Sequence, residues 1–151
     1  MLIGINPLLT GDVLGMLRDM GHGDTLCVVD ANFPGRETAR RANVPWAHMD
    51  CDLPTAMRAI LSVFPLDSYV DEPVHRMEDG GNPKELNAAH RDVKAAMDDV
   101  AGSQWKLGGI ERFAFYRESL NCSMVISTQE RRGYACFILK KGILTPQGEV
   151  G

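Results

Sequence analysis

The sequence predicts an α/β fold, a three-layer α/β/α sandwich around a mixed, mostly parallel sheet. Three observations carry that expectation. Apolar residues recur at helical spacing in several segments, as in Val13, Leu14, Leu17 and Met20. Between such segments lie short apolar, partly β-branched runs such as Leu26 to Val29, which read as buried strands. Helices alternating with buried strands place helices on both faces of a sheet. Finally, Met124–Thr128 and Tyr134–Lys140 are joined by only about five residues, too few for a parallel crossover. If those two strands are neighbours, they run antiparallel.

Asn6-Pro7 suits a cap and first turn, and Thr10 or Asp12 suits the cap of the helix that Gly21 stops. Pro34 to Arg41 reads as a short, charged, exposed helix, and Val44 to Met49 as a strand with Trp46 packing. Asp52 caps a helix opened by Leu53-Pro54, whose buried face is Met57, Ile60, Leu61 and Phe64. Pro65 to Val70 is a loop, Pro73 to Met77 an extended piece, and Glu78 to Asn82 a turn. Pro83 is expected to start the longest helix, with Leu86, Ala89, Val93, Ala96, Met97 and Val100 spaced for burial and Gly102 at its end. Ile110 to Leu120 reads as one more helix.

The 151 residues suit a single domain, 1–151, long enough for a real core. A hydrophobic share of 44% and a charged share of 24% are those of an ordinary globular protein. The net charge of −4 supplies no field to gather nucleic acid or an anionic membrane. No apolar run approaches a membrane span, and no basic leader precedes an apolar block, so a cytoplasmic protein is expected. Cys27, Cys51, Cys122 and Cys136 form no C-x-x-C pair, and buried free thiols are the expected state.

Chemistry is sought first at the two ends of the Leu26–Val29 strand. His22 stands between Gly21 and Gly23, which let a ligand approach closely, and an imidazole exchanges protons near pH 6.5. Asp30 either caps the segment starting at Phe33-Pro34 or accepts bonds from ligand hydroxyls. Arg112 and Tyr116, four apart, share a helix face. Tyr134 and Cys136, two apart, share a strand face. Neither His48, Asp50 and Cys51 nor His75 and Glu78 has the spacing of a common metal-ligand set. Gly-His-Gly-Asp precedes a strand instead of following one, so it is no phosphate loop.

Three segments resemble one family. Gly21-His22-Gly23-Asp24 followed by an apolar strand and Asp30-Ala31-Asn32-Phe33-Pro34 looks like the signature of the ribose pyranase and fucose mutarotase family. Arg112-Phe113-Ala114-Phe115-Tyr116 is similar to its arginine-bearing segment, closer to the fucose branch. Gln129 to Gly142 resembles its closing strand and Lys-Lys-Gly. The resemblance implies a cofactor-free, metal-free sugar isomerase that opens a cyclic hemiacetal and recloses it, with L-fucose or a related monosaccharide as substrate. It implies His22 as proton donor, Tyr116 as a contact or proton-transfer group, and Asp30, Arg112 and Tyr134 as sugar contacts. Asp67 and Met77 match further positions near the sugar. Where the family pattern is Tyr-x-Asn, this chain has Cys136, a poor hydrogen-bonding substitute for an amide. That departure also raises the alternative of a non-catalytic sugar-binding or regulatory protein.

A straight strand would hold His22 and Asp30 roughly 20 Å or more apart, which no monosaccharide bridges. The family's ring-shaped assemblies, decamers with sites at subunit contacts, imply a site shared between two copies.

Overall fold

The computed structural model describes residues 2–151. Its elements are α1 (Gly11–Asp19), β1 (Thr25–Val29), α2 (Gly35–Ala42), β2 (Trp46–Met49), α3 (Leu53–Leu61), β3 (Val74–Met77), α4 (Ala88–Ala101), β4 (Leu107–Ile110), α5 (Arg112–Ser119), β5 (Met124–Thr128) and β6 (Phe137–Lys140). The strands form one sheet in the order β2-β5-β1-β6-β3-β4. Strands β2, β5 and β1 pair in parallel, as do β3 and β4, while β6 runs antiparallel to both β1 and β3. The sheet is therefore mixed and mostly parallel, as the sequence predicts, with β6 as its one reversed strand.

Alternation along β1 sorts the core into two layers. Leu26 and Val28 point to the side packed by Val13 and Leu17 of α1, Met57 and Ile60 of α3, and Val93 and Met97 of α4. Cys27 and Val29 point to the other side, against Ala39 of α2 and Phe115 of α5. Both β1 faces are covered, so an uninterrupted apolar run suits this central strand better than alternation would. All four cysteines are free thiols, three of them buried. No described helix is long and apolar enough to cross a membrane.

Several boundaries differ from the sequence reading, each for a local reason. Helix α4 starts at Ala88, not at Pro83, because Asn87 and His90 close a reciprocal capping box there. Helix α5 starts at Arg112, where the Glu111 carboxylate accepts from the amides of Phe113 and Ala114. The residues before it, Leu107-Gly108-Gly109-Ile110, form the edge strand β4, which two glycines disguise. Those glycines are needed, since a Cβ on Gly108 would lie 2.6 Å from the His75 ring on β3. Strand β6 starts at Phe137; Tyr134 adopts a left-handed φ of 59° and belongs to a turn. The expectation that Tyr134 and Cys136 share a strand face is thereby overturned. Strands β5 and β6 are not neighbours either: β1 lies between them, and β6 runs opposite to both.

The connection from β5 to β6 therefore has to cross the end of β1, and it is held there by a buried carboxylate. Glu130, 4% exposed, accepts from the amides of Arg131 and Arg132 and from both the Nε and an Nη of Arg132 at 2.8–3.0 Å. Arg132 in turn reaches Asp92 on α4. The Arg132 hydrogen bonds, above all, lower the Glu130 pKa from 4.5 to about 2. A carboxyl whose folded pKa is depressed stabilises the fold above its unfolded pKa and stops doing so as the pH falls through the folded one. Thermal unfolding measured against pH should thus show a decline between pH 4.5 and about 2, and Glu130→Gln should be less stable at neutral pH with a shallower acid limb. An unchanged acid limb in that variant would remove Glu130 from the acid sensitivity.

Candidate functional site

At the C-terminal ends of β1 and β3, beside the entry to β6, a cleft of about 200 Å³ is lined by Asp30, Asn32, Phe33, Met77, Arg112, Tyr116, Gly133, Tyr134 and Cys136. Crevices at this edge of open α/β sheets are where ligands usually bind. The volume is below the about 300–1,000 Å³ of drug-sized pockets, which fits a small polar ligand. Asp30, Met77, Arg112, Tyr116, Tyr134 and Cys136, all expected at one site from the sequence, do converge here. Asn32, Phe33 and Gly133 line it too. The first two stand in the same Asp30–Pro34 signature, which was signal enough to include them.

Each wall has a local cause. Phe33 stacks on Tyr116 with ring centroids 5.1 Å apart and planes 11° from parallel, giving an aromatic side wall. Arg112 opens α5 and lies 5.9 Å from the Tyr116 ring. Its charge sits at the positive end of the helix dipole and has no ion-pair partner among the described residues, which leaves its donors to a ligand. The Tyr134 hydroxyl reaches Gly80, where an added Cβ would lie 2.8 Å from it.

Asp30 is more a framework residue than the sequence suggests. It does not cap α2, whose N-cap is Pro34. Its Oδ1 accepts from the amides of Asn32 and Phe33 at 2.9 and 3.0 Å, closing the turn after β1. Its Oδ2 accepts from the Ala135 amide at 3.2 Å and from the Cys136 thiol at 3.4 Å. The carboxylate is 4% exposed and its acceptor sites are filled. Burial, together with the neighbouring Asp30 charge, pushes the Cys136 thiol pKa well up, so it stays a protonated donor.

His22 and Asp67 are not in this cleft. They meet each other at the opposite end of β1 and β6, with His22 Nε2 3.2 Å from Asp67 Oδ1. The backbone fixes the pair: Gly23 donates to the Lys141 carbonyl and Asp67 to the Lys140 carbonyl, both at the far end of β6. Asp67 is 2% exposed and also accepts from the Tyr69 amide at 3.1 Å. A carboxylate accepts only, so Nε2 carries the proton and Nδ1 is left open. The His22 ring lies 5.4 Å from Tyr69, which is 70% exposed. Expected as a group near the cleft, Asp67 instead orients His22. Tyr69 was visible in Leu66-Asp67-Ser68-Tyr69 but carried no chemical signal by itself. Among the described residues no group of three or more His, Cys, Asp or Glu is placed to hold a metal ion.

A larger concavity of about 650 Å³ lies across Phe33, lined by Trp46, Arg36, Ser127 and the first turn of α2. Some of its polar groups are committed, since Trp46 Nε1 donates to Ser127 Oγ at 2.9 Å and His48 lies 3.1 Å from Asp50, while Arg131 and the Arg36 guanidinium, 5.5 Å from the Trp46 ring, also line it.

Comparison with known proteins places these features in context. The chain is 35% identical over 146 residues to a fucose mutarotase of Danio rerio, covering 95% of each. The crystal structure of Atu2016, described as a candidate sugar-binding protein, is similar with a TM-score of 0.91 and 44% identity, covering 96% of this chain and 97% of that one. A fucose mutarotase of Streptococcus pneumoniae, solved in complex with L-fucose, is similar with a TM-score of 0.78 and 27% identity, covering 95% of this chain and 100% of that one. The model of the RbsD / FucU transport protein family matches residues 3–144, and the chain belongs to that family.

Proposed function

We propose that this chain is a cofactor-independent monosaccharide mutarotase acting on L-fucose or a closely related sugar. The observation that carries this is the division of the expected residues between two ends of one strand. The Arg112–Tyr116–Tyr134 cleft offers hydroxyl-binding groups but no imidazole, and the oriented His22–Asp67 pair lies at the opposite end of β1. A second copy that presents its His22 to this cleft completes an acid–base site. The fucose mutarotases among its relatives support the same reading.

In that site the His22 imidazolium protonates the ring oxygen while the anomeric hydroxyl gives its proton to water, directly or through the Tyr116 hydroxyl, which passes its own proton on as it accepts that one. The C1–O5 bond breaks, the open aldehyde rotates, and the same transfers run backwards on the other face. Arg112 and Tyr134 orient the hydroxyls, with Met77 and Cys136 as the floor, and holding the sugar in place supplies the rest of the acceleration. The shared site implies a closed assembly of copies, such as a decameric ring, and the cytoplasm as its setting. A non-catalytic sugar-binding protein is the second reading, favoured by the Cys136 thiol being turned onto Asp30 instead of offering an amide to a ligand.

Saturation-difference NMR on equilibrated L-fucose should show faster anomer exchange, reduced to the spontaneous rate in His22→Ala. Binding of L-fucose without acceleration would establish the second reading. His22→Ala and Arg112→Ala should each be inactive, whereas co-refolded mixtures should recover roughly a quarter of the activity, as statistical assembly of shared sites requires. Mixed assemblies that stay inactive would sink the shared site. Asp30→Ala strands buried amide donors and should cost about 1–3 kcal/mol of stability or more, read from denaturant unfolding.

A further inference from the structure

We propose that His90 is a positioning residue for the cleft: as a neutral imidazole it closes the capping box that seats Asn87 on the Gly133–Tyr134 turn, and its protonation breaks that box, loosens the turn at Gly133 and weakens sugar binding. This rests on the reading of Tyr134 as a sugar contact. A φ of 59° is disfavoured for a residue with a Cβ and persists only where its surroundings hold it. The hold comes from the N-terminal turn of α4. His90 Nε2 lies 2.8 Å from the Tyr134 carbonyl, and the Asn87 side-chain amide donates to the Gly133 carbonyl at 3.3 Å.

The proton count on His90 follows from its partners. A carbonyl only accepts, so Nε2 carries a hydrogen. Nδ1 accepts from the Asn87 backbone amide at 3.2 Å, so it carries none. A second proton has no place except Nδ1, where it would face the Asn87 N–H and break the capping box. That unseats Asn87 and with it the hold on Gly133, whereas the Nε2–H bond to the Tyr134 carbonyl is present in both states and by itself favours the charged ring. The ring is fully buried, with Phe137 of β6 edge-on at 5.8 Å.

The charged groups facing it are Arg76 of β3, which opposes a second proton, and Asp79 of the β3–α4 connection, which favours one. Asp79 is engaged by the Asn87 amide at 3.3 Å. Burial, above all, holds the His90 pKa below its ordinary 6.5. The two-point hold is therefore complete while the ring is neutral, and its Asn87 half is lost as the pH falls through the lowered folded value.

His90→Gln tests this directly, because a glutamine at this position accepts from Asn87 through Oε1 and donates through Nε2 without titrating. L-fucose affinity and anomer exchange are measured for wild type, His90→Gln, His90→Leu and Gly80→Ala from about pH 7.5 down through the pH at which nitrogen-15 spectra of the wild type show the second proton on His90. His90→Leu should weaken affinity about tenfold at the upper pH, the scale of one lost hydrogen bond to a site. His90→Gln should restore wild-type affinity there and keep it at the lower pH, where wild type loses it. Gly80→Ala, an exposed site whose new Cβ meets the Tyr134 hydroxyl, should weaken affinity with unchanged thermal stability.

Parallel acid losses in wild type and His90→Gln would overturn the proposal, as would full affinity in His90→Leu. If His90→Leu does not fold, full affinity in Gly80→Ala overturns it instead. Nitrogen-15 imidazole spectra of the wild type must show the Nε2–H tautomer, and the other tautomer overturns the clamp. That last measurement needs no activity, so a protein that accelerates no sugar would defeat the mutarotase reading while the spectra still decide the state of His90.

Discussion

The Asp30 carboxylate is the interaction on which the site depends. It sits where β1 ends, and one group of four oxygen-directed donors ties together the turn after β1 and the entry to β6. Together with the Glu130–Arg132 anchor, that tie holds the β5–β6 connection across the end of β1. Removing a buried acceptor from amides that have no alternative is expensive, so the cleft's backbone is set before any ligand arrives. The Glu130–Arg132–Asp92 chain does the same work one layer out, anchoring the connection to α4.

The reversal of β6 has a second consequence. Because this strand runs against β1 and β3, its two ends carry two separate constellations. Its entry carries Cys136 and, just before it, Tyr134; its exit, through Lys140 and Lys141, holds the loops of Asp67 and His22. Strand rise alone keeps these apart, and no side chain spans a sheet from edge to edge. An acid and a binding cleft placed on opposite ends of one rigid element act on one small molecule only when copies pack end to face. In the proposed shared site, oligomerisation would be part of the chemistry as well as of stability.

Much of the architecture was legible because burial and capping leave plain marks. The Leu26–Val29 run, the Asp52-Leu53-Pro54 start of α3 and the apolar stripe of α1 each follow from one rule and fold as read, while the α4 stripe keeps Ala89, Val93, Ala96 and Met97 buried but leaves Leu86 before the helix and Val100 exposed. The failures share a cause as well. Gly108 and Gly109 depress strand propensity in β4, yet His75 lies against the bare backbone of the first and Glu78 against that of the second, a tertiary fact with no local signature. Pro83 looked like a helix start until the Asn87–His90 box outcompeted it. Tyr134 read as strand because it opens the apolar run up to Leu139, while its actual φ is held by α4, distant in sequence. The cleft residues were legible as a set because they cluster in motifs. The Asp67–His22 pairing was not, since contact across 45 positions leaves no pattern in either segment.

Cys136 shows how such a framework still leaves room for a ligand. Of the donors on Asp30, the two on Oδ1 and the Ala135 amide are backbone N–H groups that cannot turn away without unfolding the turn. The thiol is different. It is a weak donor on a rotatable side chain, and it occupies one acceptor position on the oxygen nearest β6. A hydroxyl entering the cleft that takes this position exchanges a weak S–H bond for a stronger O–H bond and strands only a group that behaves as a small hydrophobe. An amide at position 136 would instead compete strongly for the same oxygen or for the ligand. The thiol therefore keeps the carboxylate satisfied at little cost to its release.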